Sequence, residues 1–313
     1  MRLITEAEVA ATLDPDSAVA ALRAAFAQHG RGQAQVLARH RATTSHEGVA
    51  LAISAMGAIL GADSTAQGEL PAVLGTKVYS ARNGKYNFLV SLFSADTGEA
   101  IATLEANEFT RLRTAAASAV AADLLALPDA KTLAVFGAGI QGRAHAEALT
   151  RVRRFERILV CARSGGEAFA EELQTRLGLP VQAVDAATAA SEGDVIVTAT
   201  RSATPLFDGA LVKPGAFVAA VGSSTASARE LDDALLARAA LIAVEWHTAA
   251  QQEAGDLVQA GPGVISERVV ELGELLVSPR PRGPQDIVVY KSVGIGLEDV
   301  ALARLVAHRL EAC

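Results

Sequence analysis

Aromatic side chains are scarce in this sequence, only 4% of 313 residues, so its core must be built mainly from Ala, Val, Leu and Ile. That composition suits closely packed layers of helix and sheet. There are two cysteines, Cys161 and Cys313, too few for a disulfide framework; both are expected to be reduced thiols. No uncharged apolar run approaches the ~18 residues of a membrane span. The opening "MRLITEAEVAATLDPDSAVAALRAAF" has carboxylates where a secretory signal needs an apolar centre. A basic stripe is missing too: the net charge is −7 with acids and bases interspersed, which excludes nucleic acid as a partner. The six histidines lack ligand spacing, so no metal site is expected. What these absences leave is a cytoplasmic α/β protein, long enough for about two domains.

From Thr5 to about Ala27, Val9, Leu13, Val19, Leu22 and Phe26 fall at helical spacing, with a break at "DPDS" where Asp14 or Asp16 can cap a second helix and Pro15 suits its first turn. Beyond Gly30 the pattern is extended: "VALAISAMGAIL", "VLGTKVYS" and "NFLVSLF" read as strands, and "SADTGE" as a hairpin turn into "AIATLEA". "EFTRLRTAAASAVAADLLAL" predicts a long helix ending at Pro128. Continuous apolar strands then alternate with helices, which predicts a doubly wound parallel sheet covered on both faces. The chain closes on a proline-rich loop (277–286) and an amphipathic helix that returns to the first domain. The expected division is an α+β domain of residues 1–113 plus about 290–313, and a Rossmann-type domain of residues 114–289.

The strongest motif is "VFGAGIQG", Gly137-x-Gly139-x-x-Gly142 between a buried strand and a helix. A tight turn must bring backbone close to a pyrophosphate there, and the helix start offers free N–H donors. A dinucleotide site wants Asp or Glu at the end of the next strand to hold ribose hydroxyls. This chain has Ala162-Arg163-Ser164 instead. A guanidinium and a hydroxyl suit a 2′-phosphate, which favours NADP(H) over NAD(H). The alternative is that Arg163 faces solvent and Ser164 only caps the next helix.

"LRTAAASAVAADLLA", "TLAVFGAGIQGRAHAEAL", "VGSSTASARELD" and "SVGIGLEDVALA" together resemble the ornithine cyclodeaminase/μ-crystallin family, from about Leu74 to the C-terminus. The resemblance implies a homodimer, an N-terminal domain for substrate contacts and dimerisation, and a Rossmann domain for NAD(P). Members include cyclodeaminases, imine or ketimine reductases, amino-acid dehydrogenases and hormone-binding lens crystallins. By resemblance, Lys77 and Arg41 meet a substrate carboxylate, with Arg39 only two residues from Arg41, and Arg113 stands between substrate and cofactor. Thr114 and the turn Gly137, Gly139, Ile140 and Gln141 would contact phosphates. Thr200, Val221, Gly222, Ser223 and Ser292 would surround ribose and nicotinamide. Three converging cations form an anion clamp suited to an α-carboxylate. Each also has a plain alternative: Lys77 solvated, Arg113 paired with Glu105 or Glu108.

Where the cyclodeaminases carry an aspartate this chain has Ser224, and Ala52 stands where they carry a glutamate. A neutral hydroxyl cannot stabilise a cationic amine as a carboxylate can. Reduction of a protonated imine needs less: a carboxylate clamp, an oriented nicotinamide and a proton source. The expected activity is therefore reduction of a small α-imino acid such as Δ1-pyrroline-2-carboxylate, with Ser224 orienting the nitrogen or a water. A cyclodeaminase releasing ammonia from ornithine, and a binder of NADPH and a small acid, are the alternatives. Ser223 and Ser224 could instead cap a helix beginning near "ARELDD". Cys161 reads as core, His145 as a non-ligand on the first Rossmann helix, and Asp299 as a polar residue early in a helix. Glu245, Trp246 and His247 are candidates for a pocket wall.

Overall fold

The computed structural model describes residues 1–65 and 68–311, so Cys313 lies outside the described residues. The chain forms two compact units, Met1–Arg113 with Gly294–Cys313, and Thr114–Val293.

The first unit opens with β1 (Arg2–Ile4), α1 (Glu6–Thr12) and α2 (Pro15–Gly30). Of the two carboxylates available to start α2, Asp14 is the cap: it accepts from Ser17 N at 2.9 Å, and Pro15 occupies the first helical position. Then come β2 (Ala34–His46), β3 (Val49–Leu60), the short pair β4 (Asp63–Thr65) and β5 (Gly68–Leu70), β6 (Val73–Arg82), β7 (Lys85–Ser94) and β8 (Ala100–Glu105). The main sheet has the order β1-β8-β7-β6-β3-β2, antiparallel except where β1 lies parallel to β8. Period-2 alternation divides its faces. Ser54, Met56, Lys77, Tyr79 and Val90 are buried on one face, while Ile53, Ile59, Val78, Leu89 and Phe93 are exposed on the other. The buried face is covered by the last helix, Gly296–Arg309, against which β3 and β6 pack. That helix is not amphipathic in its setting: every residue from Gly296 to Ala307 is buried, including Glu298, Asp299 and Arg304.

The helix α3 (Asn107–Leu125) carries the chain from the first unit into the second. There follow β9 (Thr132–Phe136), α4 (Ile140–Val152), β10 (Arg157–Cys161), α5 (Gly166–Leu177), β11 (Val181–Ala183), α6 (Ala186–Glu192), β12 (Val195–Thr198) and β13 (Phe217–Ala220). The remainder is α7 (Asp233–Arg238), β14 (Ala239–Val244), α8 (His247–Glu253), α9 (Gly255–Val258), β15 (Val269–Glu271), α10 (Leu272–Val277) and β16 (Ile287–Lys291), after which the Gly296–Arg309 helix becomes α11. The sheet is parallel throughout, in the order β11-β10-β9-β12-β13-β16-β14-β15. This is the α/β, Rossmann-type architecture expected from the alternating pattern. The strand order reverses between β9 and β12, the switch point at whose carboxyl ends such sheets bind ligands. β16 belongs to this sheet, and the second unit runs on to Val293.

Candidate active site: a dinucleotide turn and a buried cation cluster

In the second unit the turn after β9 is shaped by two glycines. Gly137 has φ +113°, and a Cβ on it would lie 2.6 Å from the Ala199 carbonyl oxygen. A Cβ on Gly142 would sit 2.0 Å from the Gly137 oxygen, so α4 packs directly on the turn. Gly139 caps α4 without a side chain and faces open space, which leaves the helix N–H groups accessible to an anion. A cleft of about 390 Å³ adjoins it, lined by Gly137, Ala138, Cys161, Arg163, Ser164 and Thr200 among others. The residues present fit a dinucleotide cofactor. Arg163 and Ser164 are both exposed beyond the end of β10. Ser164 does not cap α5: its cap is Gly165, with no side-chain bond. Burial raises the thiol pKa of the half-buried Cys161.

The end of β13, where Val221, Gly222, Ser223 and Ser224 lie, is held by carboxylates that spacing did not reveal. Glu230, fully buried, accepts from Thr198 Oγ1 (2.8 Å), Gly222 N (2.8 Å), Thr200 N (2.8 Å) and Thr200 Oγ1 (2.6 Å). Asp256 accepts from the amides of Glu230 and Leu231 and sits 2.8 Å from Lys291 Nζ, which also donates 2.6 Å to the Ser223 carbonyl. Ser223 Oγ donates to the Ala228 carbonyl. Ser224 is half-buried. Neither serine caps α7, whose cap is Asp232. Ser292 donates 2.5 Å to Glu245, which also takes Tyr290 OH and Val293 N and is buried rather than part of a pocket wall. His247 lines a separate cleft of about 380 Å³ with Ala250 and Val269. Thr114 is buried on α3, and Ile140 and Gln141 open α4. His145 on α4 is also buried: Nδ1 donates 2.8 Å to the Gln141 carbonyl, so Nε2 accepts from Ser118 Oγ at 3.0 Å. Burial lowers its pKa to about 4.

In the first unit two of the predicted cations, Lys77 and Arg113, come together on the carboxylates of α11, whereas Arg41 is an exposed residue of β2 turned to other partners. Lys77 on β6 donates 2.7 Å to Thr110 Oγ1 and 2.7 Å to Asp299 Oδ1, and its Nζ lies 4.3 Å from the centroid of Phe88. It is 1% exposed. Burial lowers its pKa to about 8; Asp299 pulls it back up and Arg113 pushes it further down. Arg113 does not pair with Glu105 or Glu108: its Nη1 donates 2.7 Å to Glu298 Oε2, with Asp299 Oδ1 3.7 Å from Nε. Gly294, at φ +73°, makes room for this guanidinium, since a Cβ there would fall 2.1 Å from Arg113 Nη1. Arg41 donates 3.2 Å each to Ser54 Oγ and Tyr79 OH. Arg39 donates 2.7 Å to the Gly294 carbonyl. Glu298 and Asp299 escaped sequence reasoning because their partners lie 185 and 222 residues away. Ala52 is on β3, opposite Thr43 and Ala81. Among the described residues no group of three or more His, Cys, Asp and Glu could hold a metal ion, and no helix is long and apolar enough to cross a membrane.

A Gly-x-Gly-x-x-Gly turn at the switch point of a parallel sheet, in a chain that also buries two cations against two carboxylates in an α+β unit, defines a Rossmann-type nucleotide-binding protein. The sequence profile of the ornithine cyclodeaminase/mu-crystallin family matches residues 1–313, and the chain belongs to that family. It is 34% identical to the iminosuccinate reductase of Paracoccus denitrificans, over 98% of this chain and 96% of that protein. Among solved structures it is similar to a probable ornithine cyclodeaminase from Bordetella pertussis (TM-score 0.91, 42% identity, 100% and 97% of the two chains). It is also similar to the Δ1-pyrroline-2-carboxylate reductase of Thermococcus litoralis in complex with NADH and L-proline (TM-score 0.88, 28% identity, 99% and 98%).

Proposed function

We propose that the protein is a nicotinamide-dependent oxidoreductase that reduces the C=N bond of a small α-imino acid, Δ1-pyrroline-2-carboxylate or a related ketimine, to the amino acid. The observation that carries this reading is the burial of Lys77, on β6, and Arg113, on α3, beside the same α11 carboxylates. Two cations taken out of water are a costly arrangement for structure alone even when Asp299 and Glu298 answer them, and ammonium and guanidinium groups held in place are suited to a carboxylate ligand. The reductases related to this chain in Paracoccus and Thermococcus bear names that place their chemistry at an imino acid. Asp299 and Glu298 position the two cations, and Arg41 adds a fork for the carboxylate.

In the second unit, Thr114, Gly137, Gly139, Ile140 and Gln141 are assigned to the phosphates of the cofactor. Thr200, Val221, Gly222, Ser223 and Ser292 are assigned to its ribose and nicotinamide end. Bound there, the reduced nicotinamide supplies a hydride for the imine carbon while a proton goes to nitrogen, leaving amine and oxidised cofactor. Ser224 offers a hydroxyl and no charge, which fits reduction and not the stabilisation of a leaving amine.

Arg163 and Ser164, exposed just past β10 in a stretch (residues 162–164) without Asp or Glu, support NADPH over NADH. Arg163→Asp is expected to shift the NADPH:NADH ratio of kcat/KM by roughly tenfold or more toward NADH; an unchanged ratio removes the argument. The reading as a whole is tested by incubating the protein with either cofactor and a panel of cyclic imino acids, following loss of the reduced nicotinamide absorbance, with ammonia release from ornithine measured in parallel. Imine-dependent oxidation without ammonia is the expected result. Ammonia without net oxidation would reassign the protein to the cyclodeaminases, and tight NADPH binding with neither signal would make it a binder. The exposed apolar sheet face of the first unit is assigned to a homodimer.

A further inference from the structure

Thr200, just past the end of β12, lines the cleft beside the dinucleotide turn together with Gly137 and Arg163. Its hydroxyl is already engaged twice: it donates 2.6 Å to Glu230 Oε1 and accepts from Ser202 N at 3.1 Å. A threonine oxygen has one proton and two acceptor positions. The proton is spent on Glu230 and one acceptor position on Ser202. What Thr200 has left for a ligand is one acceptor position and no donor.

Glu230 fixes this polarity because an ionised carboxylate can only accept. It is fully buried, and each of its oxygens takes one backbone N–H and one hydroxyl: Thr200 N and Oγ1 on Oε1, Gly222 N and Thr198 Oγ1 on Oε2. Four donors fill the capacity of the group. Asp256 holds the amides of Glu230 and Leu231 at 2.7 and 2.8 Å, so the main chain that carries the carboxylate is itself anchored. Gly222 closes the arrangement, since a Cβ there would collide with Glu230 Oε1 and the Thr200 carbonyl oxygen. The ends of β12 and β13, neighbours in the sheet, are thereby locked to one side chain. They lie at the carboxyl edge of the sheet, beside the switch point across which a dinucleotide is bound.

We infer that Glu230 is a positioning residue for the cofactor: it turns the Thr200 hydroxyl so that the cleft meets the dinucleotide with a hydrogen-bond acceptor, which takes a ribose O–H and rejects a phosphate oxygen. The inference rests on the dinucleotide reading of this cleft and adds a residue that acts from behind its wall. Ionised phosphate oxygens have no proton to give and would meet a lone pair, whereas a ribose hydroxyl has a donor to offer. The phosphates are left to the free N–H groups at the start of α4. Glu230 itself moves no proton; it acts through Thr200.

The test measures Kd by titration calorimetry for NAD+ and NADP+, and for analogues of the tighter cofactor deoxygenated in turn at each ribose hydroxyl. Glu230→Gln keeps the shape of the side chain but has one oxygen. Whichever way its amide turns, the NH2 faces Thr200 N or Gly222 N, and against Thr200 it can donate to Oγ1 and reverse the hydroxyl. Its affinity for the natural cofactor is expected to fall roughly tenfold. In the wild type, one deoxy analogue should bind roughly tenfold more weakly than its parent, and on that analogue Glu230→Gln should cost little, because the hydroxyl it serves is gone. The analogue that shows this coupling identifies the ribose. A loss in Glu230→Gln that is equal on the natural cofactor and on every analogue would give Glu230 a purely structural role and overturn the inference. Thr200→Val leaves Glu230 three of its donors, so it serves even if Glu230→Gln does not fold. It should reproduce the tenfold loss, while Thr200→Ser, which keeps the hydroxyl, should not; a Thr200→Val protein with wild-type affinity overturns the inference. A wild-type protein that binds neither cofactor would overturn the dinucleotide reading and this inference with it, whereas wild-type binding without the coupling strikes the inference alone.

Discussion

Lys77 is an ammonium with 1% exposure and a carboxylate 2.7 Å away, and the two facts pull its proton in opposite directions. Burial wins and brings it to about 8. In its proposed role Lys77 attracts an anion only while protonated, so kcat/KM for the imino acid is expected to hold below pH ~8 and fall above it. Asp299→Asn removes the main opposing pull and leaves burial and Arg113 acting downward. The falling limb should then move to lower pH by about one unit or more, read from a pH–rate profile; a limb that stays in place would separate Lys77 from substrate binding. Lys77 and Arg113 were legible in the sequence only through the family resemblance of the short motifs that hold them, since taken alone each had a plain alternative. Asp299 was not, since a carboxylate early in a helix is an ordinary sight, and nothing local says that β6 supplies its partner.

At the scale of elements, α11 departs from its sequence pattern for the same reason: its charged residues find their partners far along the chain. "GLEDVALARLVAHRL" has apolar residues at helical spacing between charged ones, a pattern that reads as one wet face and one dry. Its charges are instead answered inside the unit: Glu298 by Arg113, Asp299 by Lys77, and Arg304 by the Gly61 carbonyl at 2.7 Å. The strands and helices of the second unit were readable because continuous apolar runs punctuated by glycine have few other solutions. Its buried polar ties were not. Lys291 joins β16 to Asp256 and the Ser223 carbonyl with 0% side-chain exposure on both ionic partners. Lys291→Met would leave Asp256 buried without its cation and should cost about 3–5 kcal/mol of unfolding free energy in urea titrations. A loss below ~1 kcal/mol would mean that Asp256 needs no counter-charge.

A second tie joins α3 to α4 through Ser118 and His145. The folded protein lowers the His145 pKa from 6.5 to about 4, so between those values the unfolded chain binds more protons than the folded one. Stability from this residue is therefore complete above pH ~6.5 and is lost as pH falls toward 4, about 3 kcal/mol in all. His145→Gln, which cannot titrate, should flatten that part of the stability–pH curve; an unaltered slope would mean that other groups govern the acid transition.

At the scale of the whole molecule, both units could be anticipated from periodicity, yet one feature has no explanation within a single chain. The sheet face of the first unit opposite α11 presents Leu37, Ile53, Ile59, Val78, Leu89 and Phe93 to solvent, with Ile53 56% exposed and Leu37 48%. These residues come from four adjacent strands and lie on the same face by register, so they form one contiguous apolar surface. An apolar patch of this kind is expected to be covered, and the proposed occupant is a second copy of the chain, since the same surface on each protomer can pair about a two-fold axis. Light scattering at micromolar concentration is expected to give twice the 32.2 kDa chain mass. Ile53→Glu combined with Leu89→Glu places like charges where two such faces would meet, and should yield a monomer with an unchanged far-ultraviolet circular dichroism spectrum. A wild-type monomer, or a dimer indifferent to both charges, would leave this face without a second copy and require another occupant for it.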